Sequence, residues 1–214
     1  MTTPTVTILD ARPAAQTASA AVTFRMRIAV PGERVHAIAL RCQVQIDARR
    51  RRYAADEQQR LYELFGAPSQ FDRLVRPVTW SQCSLVVPTF DGQIECDLPV
   101  ACTYDLEVAA AKYLHAVREG QVPLLFLFSG TIFRVCNGGI LRVEPVPWDV
   151  EASYGLPASV WRASMDQFFP GGGWLRLRTE TIDRLQAFRG RAAAVTWDET
   201  IEALLERAEA NQSI

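Results

Sequence analysis

The chain has 214 residues, long enough to bury a full core without disulfides or a structural metal. Its composition is 49% apolar and 22% charged with a net charge of −1, which excludes a disordered chain and a cationic coat for nucleic acid or anionic membrane. Lys112 is the only lysine, and the resulting arginine bias reads as genome composition rather than chemistry.

Residues 1–10 are threonine-rich and carry no cationic segment leading into a long apolar core, so no secretory signal is expected. The longest apolar run, Val122 to Phe128, falls far short of the roughly 20 residues of a membrane helix. The expectation is a cytoplasmic protein with no membrane insertion. Cys42, Cys83, Cys96, Cys102 and Cys136 form an odd set spread over predicted strands, which suits reduced thiols better than a disulfide framework.

From Val6 to Asp47 the pattern has a period of two. Val22, Phe24, Met26 and Ile28 alternate with polar residues, as do Ile38, Leu40, Cys42, Val44 and Ile46 beyond the turn residues Pro31 and Gly32. Alternate side chains of a strand face opposite ways, so these runs predict a β-hairpin with one buried face. Residues 56–65 have helical spacing, with Gly66 placed to end the helix. Trp80 to Val87 and Ile94 to Val100 predict two strands joined across Asp91 and Gly92.

Residues 105–118 predict a helix with Leu106, Ala110, Tyr113 and Val117 on one face. The following run, Leu124 to Phe128, is apolar on both faces and predicts a central strand. Asn137 and Gly138 predict a hairpin turn, with Ile140 to Val146 as the return strand. Beyond Pro147 the period becomes helical. Trp161, Met165, Phe168 and Phe169 mark one helix, and Ile182, Leu185 and Phe188 a second closed by Gly190. Ile201, Leu204, Leu205 and Ala208 mark a third, opened by a capping box at Thr196 to Glu199.

The predicted fold is α+β: an antiparallel β-sandwich or bent sheet of about seven strands, one inserted helix and a C-terminal group of about three helices. Residues 1–147 form the β-rich part, and residues 148–214 a helical part on the same core.

No catalytic signature, nucleotide loop or metal-ligand spacing is present. Arg49, Arg50, Arg51 and Arg52 form the only charge cluster, an arrangement suited to a phosphate or an acidic partner. Asp47, Asp56 and Glu57 lie close by and no aromatic platform accompanies the run, which disfavours nucleic acid. Gly171 to Gly173 lack the lysine of a phosphate loop. Trp148, Asp149, Tyr154, Trp161 and Trp174 are candidate binding residues in an aromatic-rich C-terminal half. The alternative is a small-molecule site or enzyme pocket between sheet and helices, drawing on Tyr104, Asp105, His115, Asp149 and Tyr154. No cofactor or metal is expected, and homo-oligomerisation stays open.

Three blocks carry a family resemblance: VPLLFLFSGTIF (122–133), PVACTYDLEVAAAK (99–112) and VPWDVEASYGLPASVW (146–161). In them, and across nearly its whole length, the chain resembles an uncharacterised bacterial family of unknown function. Genes of that family often sit beside those of nickel-iron uptake hydrogenases in high-GC bacteria. The resemblance implies an accessory or assembly role; with the absent catalytic motifs and the aromatic-rich C-terminal half, the expectation is a non-catalytic protein that binds a protein partner.

Overall fold

The computed structural model describes residues 3–15, 18–103, 105, 108–135, 140–172 and 176–212. In chain order the strands are β1 (Thr5–Pro13), β2 (Ala21–Val35), β3 (Ala37–Ile46), β4 (Val78–Val87), β5 (Phe90–Ala101), β6 (Gln121–Val135), β7 (Leu141–Pro145) and β8 (Glu151–Pro157). Between β3 and β4 lie the short helices α1 (Ala55–Arg60), α2 (Tyr62–Phe65) and α3 (Phe71–Leu74), and between β5 and β6 lies α4 (Ala109–Ala116). After β8 come α5 (Ala158–Phe168), α6 (Thr179–Ala192) and α7 (Trp197–Gln212). The fold is α+β. Two compact units divide the chain, Met1–Trp174 and Leu175–Ile214.

Two antiparallel sheets make up the first unit. One has the order β1-β2-β5; the other runs β4-β3-β6, with β7 and β8 both paired to the far edge of β6. The alternating runs supply the core. Val22, Phe24, Met26 and Ile28 of β2 face Ile38, Leu40, Val44 and Ile46 of β3 and Leu124, Phe126 and Ile132 of β6, all buried. Phe24 joins the sheets through edge-to-face contacts with Phe126 at 5.0 Å, Tyr154 at 6.0 Å and Trp80 at 6.1 Å. In β6 the inward residues are buried, while Leu125 and Leu127 on the outer face are half-buried.

The expected hairpins are corrected. β2 and β3 are consecutive but lie in different sheets, as do β4 and β5. Alternation identifies a strand's apolar face and says nothing about its neighbour, and both members of each pair turn that face to the same core. The register of β2 on β5 shifts between Ala29 and Arg34, where β2 carries the extra residues around Pro31 and Gly32. Gly92, at φ +67, sits opposite that bulge instead of in a hairpin turn. Residues 151–157, expected within the helical part, form β8 with Ala152 and Leu156 inward. The turn at Asn137 and Gly138 lies outside the described residues, and its return strand is β7.

The helical insertions seal one end of the sandwich with an aromatic cluster of Tyr53, Phe65, Phe71 and Tyr113. Helix α5 packs on β1, β2 and β8 through Trp161 and Met165.

In the second unit α6 packs against α7, with Arg189 over the Trp197 ring and Arg207 over Phe188. The capping box forms: Glu199 N–H donates to Thr196 Oγ1 at 3.1 Å and Thr196 N–H to Glu199 Oε2 at 3.2 Å. Gly190 lies inside α6; the helix ends two residues later and Ala193 takes the left-handed conformation, at φ 53.

Candidate functional site

The outer face of the five-stranded sheet is set by the wet phase of its strands. Arg41 and Gln43 of β3 stand beside Ser84 and Gln82 of β4 and Ser129 and Leu127 of β6. Together they line an open, polar trough of about 600 Å³. One step along the strands the face turns apolar. Ala37 pairs with Phe133, Phe133 with Val143, Val135 with Leu141, and Ala39 with Val86. Within this band Val86 is 72% exposed, Val135 51%, Leu141 52% and Val143 57%. Exposed apolar side chains that stay contiguous mark interaction surfaces.

Where β7 gives way to β8 the chain leaves β6 for three residues. Val146 N–H donates to Gly130 O at 2.9 Å, and Phe128 N–H to Val150 O at 3.0 Å, so residues 147–149 bow out opposite Ser129. The bow is closed by Val150 N–H donating to Pro147 O at 3.3 Å. At its tip Trp148 is 93% exposed, with Asp149 exposed beside it. Gly130 sits at φ +137 directly across from Leu40; a Cβ there would stand 2.0 Å from the Ala39 carbonyl oxygen.

The other candidate residues separate by burial. Trp161 is buried in α5, and Tyr154 forms part of the core wall, where burial pushes its phenol above the ordinary value. Trp174 lies outside the described residues. Of the pocket candidates, Tyr104 is also outside them, while Asp105, His115, Asp149 and Tyr154 sit on separate segments. Burial, together with Arg118, Arg162 and Arg60, holds His115 below its ordinary pKa.

The arginine run does not act as a unit. Arg49 and Arg50 turn to the buried carboxylate of Asp47, at 3.6 and 3.0 Å. Arg51 points inward and donates to Glu57 at 2.6 Å, Gln121 O at 2.6 Å and Glu119 O at 2.9 Å. With Arg60 on Ala116 O and Arg162 on Val117 O, it clamps carbonyls from the end of α4 to the start of β6, the first two at a helix end that presents partial negative charge. Arg52 is exposed and lines a cavity of about 600 Å³ with Arg60 and Arg118, in which Asp56, Glu57 and Glu119 offset the positive charge.

Tyr53 O–H lies 2.6 Å from Ala48 O and 2.7 Å from the Tyr113 hydroxyl. Burial pushes Tyr113 up to about 12, so this pair is neutral near pH 7 and serves as a structural tie. Among the described residues no group of three His, Cys, Asp or Glu side chains is placed to hold a metal ion. No helix among them is long and apolar enough to cross a membrane.

Comparison with known proteins places the whole length. A family described as "Family of unknown function (DUF6084)" matches residues 1–213. The chain belongs to that family. No curated protein matches it. Among solved structures, a putative late embryogenesis abundant protein is 12% identical, with 72% of this chain and 71% of that chain covered and a TM-score of 0.31. Beta-glucosidase 3B from Thermotoga neapolitana is 11% identical over 72% of this chain and 17% of its own, with a TM-score of 0.27. The beta-glucosidase from Kluyveromyces marxianus is 12% identical over 72% and 15%, with a TM-score of 0.24.

The apolar band and the polar trough were not among the expected site residues. Their trace in the sequence is slight: Val86, Val135 and Val143 occupy positions where alternation calls for a polar residue.

Proposed function

We propose that this protein is a non-catalytic binding protein that docks a protein partner on the outer face of its five-stranded sheet. The observation that carries the reading is Trp148, 93% exposed at the tip of a turn held by backbone hydrogen bonds on both sides. Tryptophan is enriched among residues that dominate binding energy, and a well-anchored one costs little ordering on association. The apolar band of Val135, Leu141 and Val143 lies on the neighbouring strand pair, and the trough supplies the polar contacts of a rim.

The partner we propose is a subunit or maturation factor of a nickel-iron hydrogenase in the cytoplasm of a bacterium, with this chain as an accessory or assembly factor. The support is the sequence resemblance at residues 99–112, 122–133 and 146–161. The test is affinity purification of the tagged chain from cells grown on hydrogen, beside Trp148→Ala, Val143→Asp and, as control, Arg52→Ala. Hydrogenase components are expected with the wild type and the control, and to be lost with the first two variants. Equal recovery with all four chains, or no hydrogenase component with the wild type, defeats the reading.

A further inference from the structure

Cys42 on β3 and Cys83 on β4 are direct partners in the antiparallel register. Directly opposite side chains share a face, and these two point inward, between the outward Arg41 and Gln43 on one strand and Gln82 and Ser84 on the other. Opposite Cα atoms in such a ladder stand roughly 4.5–5.5 Å apart, within the roughly 4.4–6.8 Å that a disulfide spans. Cys83 Sγ lies 3.6 Å from the Cys42 carbonyl oxygen.

The pair is asymmetric. Cys42 is buried, whereas Cys83 is half-buried on β4, the outer strand of its sheet. Contact with Cys42 holds Cys83 below the ordinary thiol value, while the same contact and burial push Cys42 up. The thiol nearer solvent is therefore the better nucleophile, and its buried neighbour sits where a resolving thiol belongs. The other described cysteines differ. Cys96 stands opposite Met26, and burial pushes Cys102 up to about 12.

We propose that Cys42 and Cys83 form a redox-active dithiol, which a peroxide converts into a disulfide joining β3 to the edge strand β4. With hydrogen peroxide, the Cys83 thiolate attacks one peroxide oxygen and the O–O bond breaks. The sulfur is oxidised to a sulfenic acid, and the departing hydroxide takes up the thiol's proton as water. The Cys42 sulfur then attacks the Cys83 sulfur; the S–S bond forms, the S–O bond breaks, and the hydroxyl leaves with the Cys42 proton as a second water. Two thiols and one peroxide give one disulfide and two waters. The bond closes a loop containing α1, α2 and α3.

The test uses the full chain, reduced, freed of reductant, exposed to hydrogen peroxide and then denatured and alkylated for mass spectrometry. The expected product is lighter by two hydrogen atoms and yields a linked Cys42–Cys83 peptide. Neither of those residues alkylates, Cys96 and Cys102 still do, and dithiothreitol reverses the change. In Cys83→Ala, Cys42 stays a free thiol; in Cys42→Ala, Cys83 gains oxygen without forming a bridge. Because Cys42→Ala opens a hole in the core, the half-buried Cys83→Ala variant preserves the test if the first does not fold. A bridge between any other pair, or full alkylation of Cys42 after peroxide, overturns the proposal.

Discussion

Replacing Arg51 by methionine separates structural from functional use of the arginine run. The side chains of Arg51 and Glu57 are only 14% and 9% exposed, so losing the guanidinium leaves a carboxylate in the interior with its counter-charge gone. The carbonyls of Gln121 and Glu119 lose their donor as well. Removing one partner of a buried pair costs about 3–5 kcal/mol. The lower end applies, because Arg51 Nε is itself buried without a partner, a cost that the substitution removes.

At about 3 kcal/mol, a unit of this size should lose roughly 6–12 °C in thermal midpoint. Urea unfolding followed by circular dichroism measures the difference. Arg52→Ala, at an exposed position, should stay within about 0.5 kcal/mol of wild type. Arg51→Met combined with Glu57→Gln should recover part of the loss, since no charge is then stranded. An Arg51→Met midpoint matching that of Arg52→Ala would refute the clamp and return the run to a solvated cluster.

Gly130→Ala places a methyl group against the Ala39 carbonyl in the middle of the proposed docking face; it should cost about 2–4 kcal/mol in the same assay. Trp148→Ala should leave stability within about 0.5 kcal/mol of wild type, so any lost partner binding is direct; a large drop in midpoint would mean that the turn is packed. Ala193→Gly relieves a left-handed φ at the end of α6 and should stabilise the hairpin by about 0.5–1 kcal/mol, read as slower amide exchange in α6 and α7. His115 has a folded pKa below its ordinary 6.5, so protonation favours the unfolded chain. Its contribution is present above that pH and is lost as pH falls through the folded value. His115→Gln should flatten that part of the stability profile, and an unchanged slope would count against it.

Features set by residues close in sequence could be read in advance, and features set by distant partners could not. The capping box at Thr196 and Glu199 spans one helical turn and appears as expected. The alternation through Phe24 and Met26 likewise identifies the buried face of β2. The same alternation is silent on neighbours, because a hairpin and a crossing between facing sheets bury the same residues; β2 and β3 took the second course. Tryptophans show the limit for sites. Trp148 and Trp161 are equivalent as candidates, yet one stands in solvent and the other is buried, and the difference comes from the backbone bonds of Gly130 and Phe128 that force residues 147–149 outward.

The arginine run misleads for the same reason. Four adjacent cations look like one surface, but the 3₁₀ turn at Ala48–Arg50 and the extended Arg51 send them in different directions, toward Asp47, toward the loop after α4 and into solvent. A docking face on a sheet is the extreme case, since Val86, Phe133 and Val143 come from three strands and share one face only through register. What a sequence can show of such a face is an apolar residue in the wet phase of an alternating strand. One such residue is unremarkable on a protein surface. Several, brought side by side by pairing, form a surface that water wets poorly, and that is the physical ground for expecting a partner there.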